Sequence, residues 1–229
     1  MRVTVLFRST ARTARVPAAS CAVVVDVLRA TTTLTVAFCH GATRVVPVAT
    51  PEAAFALRAG GQEARLCGER DGRMIEGFDL GNSPFEYSVT EVRGRTLVYA
   101  STNGSLAILA AAPARRRLLA AFVNAAAAVD RLQGERDVVI VCAGKLGGFA
   151  LEDAACAGLL CERLRQGGAR LVGPSAQLAR ALAPCDGLQV RALVQGCSHG
   201  RYLRSLGAAS ARDVEFCAGL DTLDRAFEI

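Results

Sequence analysis

Six apolar runs of strand length, at 2–7, 21–27, 43–48, 95–100, 117–123 and 138–142, constrain this chain most. They are rich in Val, Leu and Ile and largely lack the alternation of a half-exposed strand, so they read as buried on both faces. Helical patterns fall between them at 31–40, 51–59, 104–112, 124–133 and 151–166, the last stopping at Gly167-Gly168. Strand alternating with helix predicts an α/β fold, a three-layer α/β/α arrangement around a largely parallel or mixed central sheet. After Pro174 the pattern predicts helix over 175–183 and 190–206 and a late strand over 213–217. No Pro/Ser-rich linker or long charge run divides the 229 residues, which are read as one domain spanning 1–229.

Composition removes several function classes. With 52% hydrophobic and 21% charged residues the chain is too apolar for disorder, and no apolar run reaches the ~18 residues that cross a bilayer. The first strand is followed by Arg8, Arg12 and Arg15 rather than a small-residue cleavage site, which argues against a signal peptide. Nine cysteines without a C-x-x-C pair, many inside apolar segments, fit reduced thiols in a cytoplasmic protein. The net charge of +6 is carried by arginine, with Lys145 the single lysine. Basic clusters such as Arg115-Arg116-Arg117 lack aromatic partners, so a nucleic-acid surface is not expected and the charge is suited to drawing in small anions.

Chemistry concentrates in loops after the predicted strands, where open α/β sheets bind ligands. The stretch Gly77-Phe78-Asp79-Leu80-Gly81-Asn82-Ser83-Pro84-Phe85-Glu86 sets carboxylates, an amide and a hydroxyl among glycines, and Gly68-Glu69-Arg70-Asp71-Gly72 has the same character. Asp26 and Arg29 follow the second strand, and Thr31-Thr32-Thr33 then opens a helix whose N-terminus suits an anion. Ser101-Thr102-Asn103-Gly104-Ser105 repeats that arrangement after 95–100. After 138–142 come Ala143-Gly144-Lys145 and then Glu152 and Asp153, which suit either a helix dipole or a metal. Hard oxygen ligands beside guanidinium and hydroxyl groups suggest a metal-assisted reaction on a phosphate ester.

Three other chemistries fit poorly. A P-loop needs a glycine where Val139 stands, and His40 and His199 have no zinc spacing with any cysteine. Cys142 sits in an apolar strand, which suits an inert core thiol better than a nucleophile. Asp26 followed by threonines is superficially similar to haloacid-dehalogenase phosphatases, but the second Asp of that motif is here Leu28.

Asp26-Val27-Leu28-Arg29-Ala30-Thr31-Thr32-Thr33, Gly68-Glu69-Arg70, Gly77 to Pro84, Thr102-Asn103-Gly104-Ser105, Cys142-Ala143-Gly144 and Phe149 to Asp153 with Cys156-Ala157-Gly158 occur in this order. Over about residues 20–160 the chain resembles the 2-phosphosulfolactate phosphatase family, the magnesium-dependent phosphatases of coenzyme M biosynthesis. Ser101 and Ser105 depart from the threonine more usual there but keep the hydroxyl. The resemblance implies an α/β/α fold and Mg²⁺-dependent hydrolysis of (2R)-2-phospho-3-sulfolactate, or a related small phosphorylated hydroxy acid, to the alcohol and phosphate. On it, Asp26, Glu69 and Asp79 are the first metal or water-positioning carboxylates, with Glu152 and Asp153 in reserve. Arg29, Arg70 and Lys145 are the anion-holding cations, assisted by Thr31, Thr32, Asn103, Gly104 and Ser105. The catalytic set is thus Asp26, Glu69, Asp79, Arg29 and Lys145. The expected partner is a small anionic phosphate ester, with no nucleic acid or membrane, and a homo-oligomer is allowed. The alternative is a non-catalytic small-anion-binding protein with the same pocket.

Overall fold

The computed structural model describes residues 1–7, 16–61 and 63–229; Arg8, Arg12 and Arg15 lie outside them. The first half runs β1 (Arg2–Leu6), β2 (Cys21–Val25), α1 (Ala30–Cys39), β3 (Arg44–Val48), α2 (Pro51–Ala59), β4 (Arg65–Arg70), β5 (Arg73–Met74), α3 (Val89–Val92), β6 (Thr96–Ala100) and α4 (Gly104–Ala110). Next come β7 (Arg116–Ala120), α5 (Ala125–Arg131), β8 (Asp137–Cys142), α6 (Leu151–Gln166), β9 (Arg170–Leu171), α7 (Pro174–Ala181), α8 (Gly187–Gly196), α9 (Ser198–Ser205) and α10 (Ala208–Cys217). Each of the six apolar runs overlaps a strand.

The strands divide between two sheets. One is parallel throughout in the order β7-β2-β8-β1-β9, with Val25 opposite both Ala120 and Cys142. The other has the order β3-β6-β4-β5, parallel except for the antiparallel β4–β5 pair. Alternate residues of β2 explain the missing alternation in its sequence. Val23 and Val25 pack in a core with α5 to α7, whereas Ala22 and Val24 join a second core with Leu34 of α1, Ile108 of α4 and Leu97 and Tyr99 of β6. Helices α1 and α4 therefore lie between the sheets, and α2 covers the far face of the second sheet through Ala54. Each sheet has helices on both sides, as expected of the α/β class.

Two of the expected elements take a different form. Segment 213–217 is the end of α10, not a strand: Asp213, Val214 and Cys217 are its buried residues, a helical spacing. The span 190–206 is broken at Cys197, whose extended backbone ends α8 and whose Sγ accepts the Gly200 N–H at 3.2 Å to cap α9. Among the described residues no helix is long and apolar enough to cross a membrane.

Candidate active site

The carboxyl ends of β2 and β8 in one sheet and of β4 and β6 in the other open onto one cavity of about 280 Å³. Asp26, Arg29, Glu69, Asn82, Thr102, Asn103, Lys145, His199 and Tyr202 are among its lining. Two glycines permit this convergence. A Cβ on Gly68 would stand 1.7 Å from the Ala100 carbonyl oxygen, and Gly68 has φ +141°, so only glycine lets β4 approach β6 here. A Cβ on Gly104 would stand 2.3 Å from the Ala30 Cβ and 2.7 Å from Asp26 Oδ2, so this glycine lets α4 start against α1 and the acid.

Asp26 sits just beyond β2, and its Oδ1 accepts the Ala30 N–H at 3.2 Å. Burial pushes its carboxyl up to about 7; His199 and the Ala30 N–H oppose the rise, and Glu69 and Glu152 add to it. Glu69, near the end of β4, accepts from Gly72 N at 2.8 Å on Oε2 and from Thr102 N at 2.8 Å on Oε1. Its carboxylate is thereby fixed between the β4–β5 turn and the loop after β6. Asp153 bridges the other two loops, accepting from Val27 N at 2.9 Å and from Gly144 N at 3.0 Å. Burial, then the charges of Asp26 and Glu152, push its carboxyl well up. Glu152 Oε1 accepts a hydrogen bond from His199 Nδ1 at 3.0 Å. Burial raises Glu152, but the hydrogen bond and charge of His199, together with hydrogen bonds from the backbone and Cys197, hold the carboxyl below its ordinary value.

The cations divide sharply. Lys145 lies in a tight turn closed by Lys145 N–H to Gly148 O at 3.2 Å and Gly148 N–H to Lys145 O at 2.8 Å. Leu146 N–H donates to Asn103 Oδ1 at 2.8 Å and ties that turn to the start of α4. Lys145 Nζ stands 4.7 Å from the centroid of the Tyr202 ring and forms no ion pair with a described residue. Arg29 lines the cavity but is committed: its guanidinium donates to Asp213 Oδ2 at 2.5 Å and to the Gly72 carbonyl at 2.7 Å, with both partners of the ion pair buried. The Leu28–Arg29 peptide is cis.

Several residues expected at the site have other work. Asp79 does not line the cavity; it accepts the Leu66 N–H at 2.8 Å and faces Arg58 and Arg65 at 3.7 and 3.9 Å. Its glycine-flanked loop is clamped to the start of β4. Arg70 donates to the Glu69 and Ala49 carbonyls, also outside the lining. The hydroxyls of Thr31 and Thr32 donate to the Asp26 and Val27 carbonyls, and Ser105 is spent on Ser101. They shape the loops from behind. Glu152 and Asp153 are not in the cavity lining; Glu152 is engaged by His199 and Asp153 by two backbone amides.

Other lining residues were not anticipated as site residues. Asn82 Oδ1 accepts from Tyr99 Oη at 2.7 Å, which fixes its amide beside the cavity. The Thr102 hydroxyl is buried without a hydrogen-bond partner among the described residues. Both stand in motifs that the sequence exposes, whereas His199 and Tyr202 lie on α9, which the fold brings across the cavity. Burial pushes the Cys142 thiol well up, in keeping with a core role. Among the described residues no three His, Cys, Asp or Glu side chains are grouped to hold a metal ion by themselves. Asp26 and Glu69 remain as two hard carboxylates on one cavity. That suffices for Mg²⁺, which commonly takes one or two carboxylates and completes its shell with substrate oxygens and water.

The sequence matches the family model described as 2-phosphosulpholactate phosphatase over residues 7–228. It is 41% identical over 207 residues to a protein of Symbiobacterium thermophilum, covering 88% of each chain. A Deinococcus radiodurans protein is 41% identical over 204 residues, covering 88% of this chain and 84% of its own. A Thermotoga petrophila protein is 38% identical over 200 residues, covering 87% and 85%. All three relatives bear the name probable 2-phosphosulfolactate phosphatase. A match of this extent, on a fold whose strand ends gather carboxylates and a lysine around one cavity, shows that the chain belongs to the 2-phosphosulpholactate phosphatase family and is a phosphoric monoester hydrolase.

Proposed function

We propose that the chain hydrolyses (2R)-2-phospho-3-sulfolactate, or a closely related phosphorylated hydroxy acid, to the alcohol and phosphate, with Mg²⁺ as cofactor. The observation that carries the proposal is the charge of the cavity: Asp26 and Glu69 face it, Arg29 is neutralised by Asp213, and Lys145 supplies an uncommitted ammonium. A substrate bearing phosphate, sulfonate and carboxylate groups would meet net repulsion there unless a divalent cation entered with it. Asp26 and Glu69 would hold that cation, which when bound neutralises phosphate charge and lowers the barrier to attack by water.

The protein's own residues do the rest. The two amides on Glu69 keep its carboxylate from turning away, and the Ala30 N–H does the same for Asp26. Lys145 holds an anionic oxygen as a point charge, and its contact with Tyr202 and the pinned 145–148 turn limit its wandering. The unpartnered Thr102 hydroxyl and the Asn82 amide supply neutral hydrogen bonds to phosphate or carboxylate oxygens. Nine free cysteines, mostly buried, fit a reducing cytoplasmic setting, and coenzyme M biosynthesis is the process to which the substrate points.

Phosphate release from a panel of small esters, with Mg²⁺ and with EDTA, tests this. The expected result is release from 2-phospho-3-sulfolactate in preference to monoesters without a second anion, lost in EDTA and restored by Mg²⁺. Full turnover in EDTA would refute the cofactor, and a preference for singly anionic esters would refute the substrate class.

A further inference from the structure

We propose that His199 is the general acid that protonates the departing alcohol oxygen, and that Glu152 is the positioning residue that fixes its ring. The proposal rests on phosphomonoester hydrolysis in this cavity and adds a proton donor to it. His199 lines the same cavity as Asp26 and Lys145. Its Nδ1 is engaged 3.0 Å from Glu152 Oε1, and no hydrogen bond to Nε2 exists among the described residues. With one ring nitrogen tied to a carboxylate, the other is left to deal with substrate. Glu152 is only 2% exposed in the first turn of α6, so it is a rigid anchor rather than a solvated partner.

The backbone that presents the ring is equally fixed. Cys197 ends α8 and its thiol caps α9, and a Cβ on Gly200 would fall 1.9 Å from the Val194 carbonyl oxygen. His199 is thus held between a cap and an obligatory close contact. Of the other cavity groups, Glu69 already accepts two N–H groups and Asp26 is assigned to the cation, whereas Nε2 of His199 has no described partner.

The alkoxide of a 2-hydroxy acid is a poor leaving group, so donation to it is worth a large factor. As the water oxygen forms its bond to phosphorus, the bond from phosphorus to the alcohol oxygen breaks, its electron pair stays on that oxygen, and the proton on Nε2 moves there. Both water protons remain on the departing dihydrogen phosphate, and one then returns to His199. The enzyme ends in its starting state.

The test compares leaving groups. Wild type, H199Q and E152Q are assayed on 2-phospho-3-sulfolactate, whose alkoxide needs a proton, and on p-nitrophenyl phosphate, whose phenolate does not. We expect kcat of H199Q on the alkyl ester to fall by about 100-fold or more, in the range of a lost general acid, and to fall far less on the aryl ester. E152Q should move the ratio of the two rates the same way by a smaller factor. Equal losses on both esters, or an unchanged ratio, in variants whose melting curves show a folded protein would overturn the proposal. If H199Q does not fold, H199N is judged by the same ratio. Failure of the wild type on every ester would instead defeat the underlying phosphatase reading, so the two failures are distinct.

Discussion

Replacing Asp213 by leucine should cost the fold more than almost any other single polar substitution. Arg29 and Asp213 are 4% and 1% exposed, and Asp213 also accepts the Ser83 hydroxyl at 2.6 Å on its second oxygen. Removing the acid leaves a buried guanidinium with the Gly72 carbonyl as its remaining acceptor. Breaking a buried pair from one side typically costs ~3–5 kcal/mol. At roughly 2–4 °C per kcal/mol for a chain of this size, the melting temperature should fall by about 6–20 °C. The double variant R29M/D213L removes both charges and should recover most of that loss, since a packed apolar pair replaces a buried ion pair at little net cost. Thermal unfolding followed by circular dichroism reads all three proteins. If D213L melted within about 2 °C of wild type, the pair would not be holding Arg29, and a phosphate-binding role for that arginine would return. An arginine used for phosphate would show its loss in KM with melting unchanged.

Other substitutions probe the surrounding frame. Glu69→Gln turns one acceptor into a donor facing a backbone N–H, so we expect a loss of ~1–3 kcal/mol in urea unfolding as well as reduced turnover. Gly104→Ala forces a methyl against Ala30 and Asp26 and should lower stability by ~1–3 kcal/mol while depressing kcat, both measurable on one preparation. Asp79→Asn should keep kcat within about two-fold, because the carboxylate serves Leu66, Arg58 and Arg65 outside the cavity; a large loss in phosphate release would put it back at the site. Among the nine cysteines Cys185 is the exposed one, so thiol titration of native protein should find about one fast-reacting group, with the rest appearing in denaturant, and its modification should spare activity.

The strands with apolar residues on both faces were legible because burial on both sides leaves its mark in composition. Strand β4 left no such mark: Arg65-Leu66-Cys67-Gly68-Glu69-Arg70 holds few apolar residues, yet Gly68 makes its close pairing to β6 feasible. Glu69 was still singled out, through the chemistry of its loop, and it lines the cavity. Asp79 had the same local appearance, and only its partners distinguish a loop clamp from a site residue. The pairings that define the site's charge are long-range. Arg29 meets Asp213 from 184 positions away and His199 meets Glu152 from 47, distances over which neither spacing nor periodicity carries information. The family resemblance supplied the reaction, while the division of arginines and threonines into working and structural groups required the fold.

Asp26 tests the site most directly, since it stands at the end of β2 with helix α1 and both neighbouring carboxylates arranged around it. Phosphate release from 2-phospho-3-sulfolactate by Asp26→Asn, at saturating Mg²⁺, should fall by ~100-fold or more, the scale of losing a key charge-stabilising group, while the melting temperature stays near that of wild type. The oxygen of the introduced amide can still accept the Ala30 N–H, so the loop has no cause to move. Turnover within a few-fold of wild type in a folded Asp26→Asn protein would contradict the assignment of this cavity as the place where the phosphate ester is cleaved.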